Sequence, residues 1–394
     1  MLISGLNAST WGQANSSSDD LWSRTHRVNA YDAPRRARYP SLARNSDGQF
    51  VLLFTSVTKE QEDNGVGDIM IIRSTDEGAS WSSPEIVYPA RDGIPTTAGS
   101  LTMLGSNKLV ASLAELDKDS KAKSFRMLTS TDGGIAWDVG APLNLPDVVK
   151  WACPYGQLIK GSVPDASVLL MPVYGTLSVD DVQQDKTSAG LMRSTDGGLT
   201  WGDFSIIAAD PKTSVTYPAV LSTGAHALVA LVDGTDGQLY RCTSDDGGRH
   251  WTDRDQVLLG RQPQLVRISN QAVACVASLG EQKYGSVWIG LSYDDARSWR
   301  CDRNVMGYRG IYARRPRADE VHWGWPVAVA LDDHHMLVAL GRTQLHGGLG
   351  DGPQGPEPID AEQERIEVVF FKRDDPIPAG PSASRTVPEA ARDR

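Results

Sequence analysis

Carboxylates and a tyrosine in this chain could together carry out acid–base chemistry on a polar substrate. Asp63, Glu115 and Asp233 each follow an apolar run of the kind that forms a strand. Two carboxyl groups whose pKa values are pushed apart can serve as an acid and its partner in bond cleavage. Tyr217 could serve as a further acid or base. These four residues are the candidate catalytic set.

Arginines and aromatic residues could bind the substrate of such chemistry. Arg38 and Arg261 each stand two residues before a proline, in Arg38-Tyr-Pro and Arg261-Gln-Pro. A guanidinium stays charged and donates paired hydrogen bonds to a planar carboxylate. Aromatic rings suit the apolar face of a sugar. The other candidate binding residues are Tyr155, Tyr174, Tyr284, Arg309, Trp323 and Trp325.

A repeated motif indicates which elements position these residues. Ser-x-Asp-x-Gly-x-x-Trp, or a close variant, begins at Ser74, Ser130, Ser194, Ser244 and Ser292. The copies are roughly 50 to 60 residues apart, a spacing that suits a four-stranded propeller blade. Asp can accept hydrogen bonds from the amides of its own turn, and Gly can take a positive φ. We therefore interpret all five motifs, here termed Asp boxes, as structural turns.

A second, looser repeat predicts the number of blades. Six apolar strand pairs begin near Arg38, Thr97, Cys153, Thr216, Arg261 and Gly324. The predicted fold is all-β, a six-bladed β-propeller of four-stranded antiparallel blades with five Asp boxes, spanning residues 31–375. The stretch 365–373 is expected to complete the last blade or close the ring. Residues 1–30 could pack on or close the propeller, and residues 376–394 are expected to be a disordered tail.

Composition argues against several classes of partner. The chain has 394 residues and a net charge of -10, with no basic stripe, so no nucleic-acid surface is expected. It has no apolar run of transmembrane length, so no membrane partner is expected either. The 4 cysteines lack metal-ligand spacing, and no metal or other cofactor is predicted. No signal peptide is visible, which predicts a cytoplasmic protein if this N-terminus is native.

The five Asp boxes, the Arg38-Tyr-Pro entry and the six blades resemble the sialidase superfamily of non-viral Asp-box glycosidases. The resemblance implies a carbohydrate substrate, bound on the face opposite the Asp boxes. It also implies that Arg38 is the first of three arginines that hold the substrate carboxylate. The family carries its acidic acid/base residue in the loop that corresponds to residues 55–68, where Asp63 is the best match.

Three positions depart from the family pattern. Thr216-Tyr217-Pro stands where a glutamate would polarise a tyrosine nucleophile, and Asp233 stands where the second arginine would fall. The strand pair around Gly324-Trp325-Pro lacks the tyrosine nucleophile.

These departures leave three functions open. The favoured one is a sialidase-like hydrolase, for which exo action on a terminal acidic sugar is one option, with Asp63 or Glu115 as the acid and Asp233 as its partner. The second is a polysaccharide lyase on a uronate glycan, in which Arg38 and Arg261 neutralise the carboxylate. Its base and acid would come from Tyr217, Tyr284 and His322. The third is a propeller that only binds a carbohydrate or another protein.

Overall fold

The architecture is an all-β ring of six sheets, as the repeats predict. The structure is a computed structural model. It describes residues 22–31, 36–45, 47–57, 67–91, 94–105, 107–117, 122–145, 147, 149–161, 168–279, 286–306, 321–344 and 364–373.

The first described strand, β1 (Trp22–Tyr31), belongs to the last blade. The first three blades follow it in chain order. Blade 1 contains β2 (Arg36–Arg44), β3 (Phe50–Val57), β4 (Asp68–Ser74) and β5 (Glu85–Tyr88). Blade 2 contains β6 (Thr96–Met103), β7 (Leu109–Leu116), β8 (Ala122–Ser130), β9 (Asp138–Val139) and β10 (Leu143–Asn144). Blade 3 contains β11 (Trp151–Pro154), β12 (Ile159–Lys160), β13 (Leu169–Thr176), helix α1 (Val179–Gln184), β14 (Ser188–Ser194) and β15 (Gly202–Ala208).

The last three blades have four strands each. Blade 4 contains β16 (Val215–Ser222), β17 (Leu228–Gly234), β18 (Gln238–Ser244) and β19 (Asp255–Leu259). Blade 5 contains β20 (Arg261–Ser269), β21 (Ala272–Leu279), β22 (Ser286–Ser292) and β23 (Arg300–Met306). Blade 6 contains β24 (Val321–Ala330), β25 (His335–Gln344) and β26 (Glu364–Arg373), with β1 antiparallel to β26 as its outer strand. Strands from both ends of the described chain therefore share one sheet, which closes the ring.

The core is divided into six hydrophobic clusters, each between two neighbouring blades. Between blades 1 and 2, for example, Leu53 and Ile71 pack with Leu109 and Leu113, all fully buried. Inner strands such as β3 and β17 are buried on both faces, because each sheet is covered by a blade on either side, whereas outer strands such as β5 are partly exposed. The same packing holds the innermost strands around a central channel.

The five Asp boxes have the turn structure that their sequence predicts, and each connects the third strand of a blade to the next. In each, the serine hydroxyl donates to the aspartate at 2.7 or 2.8 Å. The aspartate also accepts backbone N–H groups later in the turn, as at Ile135 and Ala136. In the first four boxes the tryptophan Nε1 donates to the glycine carbonyl at 3.1 Å. The aspartate carboxylates therefore serve as hydrogen-bond acceptors that stabilise the turns.

The fifth Asp box differs at its glycine position. Ala296 has a left-handed φ of 64°, and the glycines at this position in the other boxes are also left-handed, with φ from 83° to 97°. The indole N–H of Trp299 is buried and, unlike its counterparts, has no hydrogen-bond partner among the residues that the structure describes. The Ser292 hydroxyl still accepts the N–H of residue 296 at 2.9 Å, so the turn is retained.

Helix α1 lies between the second and third strands of blade 3, on the side of the ring opposite the Asp boxes. Ser178 and Asp181 form a capping box, and the buried Asp181 also accepts from Ser188 at 2.6 Å. These bonds fix the connection at the edge of the channel. No helix among the described residues is long and apolar enough to cross a membrane.

Candidate functional site

The inner strands of five blades carry a β-bulge at the same place. In blade 1, Arg38 pairs with Thr55 and Ser41 pairs with Leu53, so one extra residue lies between the pairs. The same shift occurs in blades 2, 4, 5 and 6. In four of these blades the residue before a proline has a left-handed φ of 49° to 54°: Tyr39, Tyr217, Gln262 and Trp325. Proline lacks the N–H that a regular ladder needs, so it is tolerated at a bulge.

A cavity of about 420 Å³ opens at the centre of the ring, at the ends of the inner strands opposite the Asp boxes. This cavity is here called the funnel. All six blades contribute to it. Its lining includes Arg38, Tyr39, Thr55, Thr97, Asp117, Trp151, Cys153, Tyr155, Tyr174, Tyr217, Gln264 and Trp325.

Aromatic rings form two parts of the funnel wall. On blades 3 and 4, the ring of Tyr174 lies 6.1 Å from Trp151 and 4.7 Å from Tyr217. Tyr155 lies 5.0 Å from Tyr217, and its hydroxyl donates to the Pro263 carbonyl at 3.3 Å. On blades 6 and 1, the ring centroids of Trp325 and Tyr39 are 4.7 Å apart. Such faces can stack on a sugar ring.

Arg38 is the cation of the funnel lining among the described residues. It lies at the start of the blade 1 bulge, and two hydroxyl groups, one on its own strand β2 and one on the paired strand β3, bind blade 2. Thr55 Oγ1 accepts the N–H of Ala98 at 2.8 Å, and Ser41 Oγ accepts the N–H of Leu101 at 2.8 Å. Arg38 therefore lies at the funnel, where the resemblance implies a carboxylate-binding arginine. At this place its guanidinium can meet a ligand carboxylate.

Glu115 and Asp117, two residues apart, have different surroundings. Glu115 accepts from Tyr88, Ser124 and Arg126, each at 2.7 Å, and it does not line the funnel. Although burial alone would raise it, these hydrogen bonds lower the pKa of Glu115. Asp117 does line the funnel. Glu115 is therefore held as a carboxylate in a hydrogen-bonded network rather than poised to give up a proton.

A register shift explains why sequence reasoning missed Asp117. Residues two apart on a strand normally share a face, so Glu115 and Asp117 should point the same way. However, Glu115 pairs with Ser124 while Leu116 pairs with Ala122, and Asp117 lies just beyond the strand. The Leu116 N–H donates to the Pro95 carbonyl at 2.7 Å, which holds this segment at the funnel. The signal available in the sequence was an acid directly after an inner strand pair.

Asp233 is fully buried and binds the start of blade 5. Its Oδ2 lies 3.3 Å from Arg261 Nε and accepts the N–H of Gln262 at 3.0 Å, while Oδ1 has no partner among the described residues. Burial raises the pKa of Asp233 to about 6, against the opposing effect of Arg261. Arg261 is directed at this carboxylate and does not line the funnel. The two predicted arginines therefore do not converge on the funnel.

Three tyrosines of the funnel have pKa values that are raised by burial, so they are protonated at neutral pH. Burial raises the pKa of Tyr155 and Tyr174 well above the ordinary value, and it also raises the pKa of Tyr217. The charge on Asp233 contributes to the increase in pKa at Tyr155 and Tyr217. Because Tyr155 already donates its proton to the Pro263 carbonyl, a hydrogen bond to a ligand would come from Tyr174 or Tyr217.

Several of the remaining predicted residues lie wholly or partly outside the described part of the structure. Asp63, Tyr284 and Arg309 lie outside the described residues. Trp323 lies in β24, but its side chain and that of His322 are outside the described part. Of the predicted set, the funnel brings together Arg38, Tyr155, Tyr174, Tyr217 and Trp325. Across the described residues, no group of three or more His, Cys, Asp or Glu side chains could hold a metal ion.

The repeats and the blade geometry agree with a known family model. The model of the BNR repeat-like domain matches residues 107–306, about half of the chain. The chain belongs to the BNR repeat-like domain family. Together with its propeller neighbours, this match confirms the resemblance of the BNR-repeat protein to the sialidase superfamily. No curated protein sequence matches the chain significantly.

Solved structures similar to this BNR-repeat protein share its fold at low sequence identity. A protein of unknown function from Dyadobacter fermentans has a TM-score of 0.69 and 20% identity, covering 90% of this chain and 99% of its own. An α-L-arabinanase of Penicillium chrysogenum, complexed with arabinobiose, has a TM-score of 0.60 and 14% identity over 89% and 98%. The Trypanosoma rangeli sialidase with the inhibitor DANA has a TM-score of 0.59 and 14% identity over 89% of this chain and 59% of its own.

Proposed function

We propose that this BNR-repeat protein is a sialidase-like glycoside hydrolase that holds a terminal sugar in the funnel. The observation that carries the proposal is the composition of the funnel: a cation at Arg38, an acid at Asp117 and two aromatic wall segments. Sugar-binding sites combine stacking surfaces with a few polar groups that fix orientation. Two of the similar structures hold a sugar or sugar-like ligand, arabinobiose and DANA.

Each group at the funnel has a role in this proposal. Arg38 binds an acidic or polar substituent of the terminal sugar. Asp117 or Asp63 protonates the leaving oxygen, Tyr217 attacks the anomeric carbon, and the rings of Tyr155 and Tyr174 pack against the sugar. Glu115 is not assigned the acid role, because its hydrogen bonds lower its pKa.

Asp233 supports the reaction from behind the tyrosine wall. The charge of its carboxylate helps to raise the pKa of Tyr217, and its Oδ1 has no partner among the described residues. As the Tyr217 oxygen bonds to the anomeric carbon and the glycosidic bond breaks, the phenol proton passes to Asp233, and water then hydrolyses the tyrosyl–sugar bond. In this proposal Asp233 is therefore the partner carboxylate of Tyr217.

The lyase alternative is disfavoured by the electrostatics of the same residues. Elimination from a uronate needs a base near neutral pH and a cation that neutralises the carboxylate. Arg261, one of the two arginines that would neutralise that carboxylate, is bound to Asp233 instead of facing the funnel. Hydrolysis is therefore the better supported reaction.

The experiment that tests this function is hydrolysis of a panel of aryl glycosides by matched acid variants. The panel includes aryl glycosides of sialic acid, of related nonulosonic acids and of arabinofuranose. Asp117→Asn removes an acid that lines the funnel, whereas Glu115→Gln removes a nearby acid that does not. We expect release of the aryl group by the wild type and by Glu115→Gln. Release that survives Asp117→Asn unchanged would assign the acid elsewhere, and silence across the panel would favour a binding propeller.

A further inference from the structure

Gln262 contacts the blades on both sides of its own. It lies at the blade 5 bulge with a left-handed φ of 53°, directly before Pro263. Its backbone N–H donates to Oδ2 of Asp233 in blade 4 at 3.0 Å. Its side-chain Oε1 accepts the backbone N–H of Trp325 in blade 6 at 3.1 Å. One residue thus joins three consecutive blades at the level of the funnel.

The bulge of blade 6 leaves the Trp325 N–H outside the regular strand ladder, and the Gln262 side chain provides its acceptor. Gly324 pairs with Gly341 and Val327 pairs with Ala339, so Trp325 falls between the ladder pairs. A buried N–H group without a partner costs stability, and an acceptor from outside the strand removes that cost. Gln262 supplies the acceptor, and Ser278 Oγ donates to the same oxygen at 3.4 Å.

The contact fixes the backbone from which the Trp325 ring projects. That ring lines the funnel and lies 4.7 Å from the ring of Tyr39, at the corresponding bulge of blade 1. A ring that stacks on a ligand contributes most when its orientation is set before binding. The order Asp233, Gln262, Trp325, Tyr39 therefore runs along one side of the funnel from blade 4 to blade 1.

We propose that Gln262 is a positioning residue that, anchored by Asp233, fixes Trp325 and Tyr39 as a preorganised stacking wall of the funnel. Only the assignment of this wall to a sugar rests on the proposed function. The positioning itself is a property of the protein without ligand, and it can be tested without any glycoside.

The test is acrylamide quenching of the fluorescence of Trp325. Because the chain has 11 tryptophans, the Trp325 component is taken as the difference between each protein and the same protein carrying Trp325→Phe. Gln262→Met keeps the side-chain size but removes the acceptor. Gln262→Asn keeps an amide but is too short by one methylene, and it serves as a milder second variant. Gln262→Glu keeps an acceptor oxygen at the same reach.

Arg267→Met is the matched control. Arg267 Nη2 donates to the Ser222 carbonyl at 2.9 Å, so this variant also removes a side-chain bond between blades 4 and 5, but one that is remote from the funnel. We expect the quenching constant of Trp325 to rise about twofold in Gln262→Met and Gln262→Asn, because the unpaired N–H lets the bulge move. Gln262→Glu and Arg267→Met are expected to match the wild type.

Two results would overturn the positioning role. One is an unchanged quenching constant in both acceptor-deficient variants. The other is an equal rise in Arg267→Met, which would indicate general loosening between the blades. Failure of the glycoside panel with a positive quenching result would reject the proposed function and leave the positioning role intact.

Discussion

Nε of Arg261 lies 3.3 Å from Oδ2 of Asp233, and this ion pair joins blade 5 to blade 4 next to the tyrosine wall of the funnel. The carboxylate is completely buried, whereas the arginine side chain is 30% exposed. Burial of a charge costs free energy even when a partner repays part of it. The pair therefore withdraws a predicted substrate-binding arginine from the funnel and places a carboxyl group with a raised pKa behind it.

Asp233 is expected to make the wild-type protein less stable as the pH rises from 4 to 7. Its pKa is about 6 in the folded protein against an ordinary value of 3.8, so its contribution is fully present below about pH 4 and is lost as the pH passes 6. The loss corresponds to about 3 kcal/mol of unfolding free energy. Asp233→Asn lacks this dependence. Urea unfolding of both proteins at pH 4 and pH 7 measures it, and an equal pH dependence in the two would contradict the raised pKa.

An Asp-box carboxylate should show the opposite pH dependence. Hydrogen bonds from the side chain and backbone of Thr200, and from Ser194, lower the pKa of Asp196 to about 2. Its contribution is therefore present above the ordinary pKa of 3.8 and is lost as the pH falls through 2. Asp196→Asn should destabilise the protein at pH 7, with a difference that shrinks toward pH 2. Unfolding curves at the two pH values test this, and a constant difference would argue against it.

Glu115→Gln should weaken the fold without affecting a glycosidase reaction. Glu115 accepts from Tyr88, Ser124 and Arg126, and its side chain is 12% exposed. Loss of the charge weakens all three bonds, with an expected cost of about 2 kcal/mol. Thermal unfolding measures the cost. A normal melting temperature combined with lost hydrolysis would instead indicate that Glu115 acts on the substrate.

Cys153 should resist alkylation although it lines the funnel. Burial raises the pKa of its thiol to about 12, against an ordinary value of 9.0. Only the thiolate reacts, so at pH 8 the rate with iodoacetamide should be roughly 1,000-fold below that of an ordinary exposed thiol. Mass spectrometry of labelled wild type and Cys153→Ser assigns the modified residue. Rapid labelling of Cys153 in the folded protein would contradict the burial of this part of the funnel.

The fold was predictable from sequence because each blade repeats the same local chemistry. The Asp-box residues form their turns through contacts within eight residues, so the motif specifies the turn wherever it occurs. Six apolar strand pairs then fix the number of blades, and the structure confirms six. The role of β1 in blade 6 was less accessible, because its partner β26 lies more than 300 residues away along the chain.

The site was only partly predictable because bulges and ion pairs re-aim side chains. The Arg-x-Pro pattern identified Arg38, which lines the funnel, and equally identified Arg261, which Asp233 binds instead. Glu115 and Asp117, two residues apart, would share a face of a regular strand, but they diverge at a register shift that no local sequence pattern indicates. Tyr39 and Gln262 each stand directly before a proline and have a left-handed φ. A residue before proline normally prefers an extended backbone, so the sequence did not predict where these two side chains lie.

The most direct test of the central claim is the rate of aryl release from the glycoside panel by wild type, Arg38→Ala and the remote control Arg267→Ala. The account predicts hydrolysis of an acidic aryl glycoside by the wild type and by Arg267→Ala. For Arg38→Ala it predicts a loss of about 100-fold in kcat/KM, because a charged partner of the substrate is removed. Full activity in Arg38→Ala would contradict the assignment of the funnel as the glycosidase site.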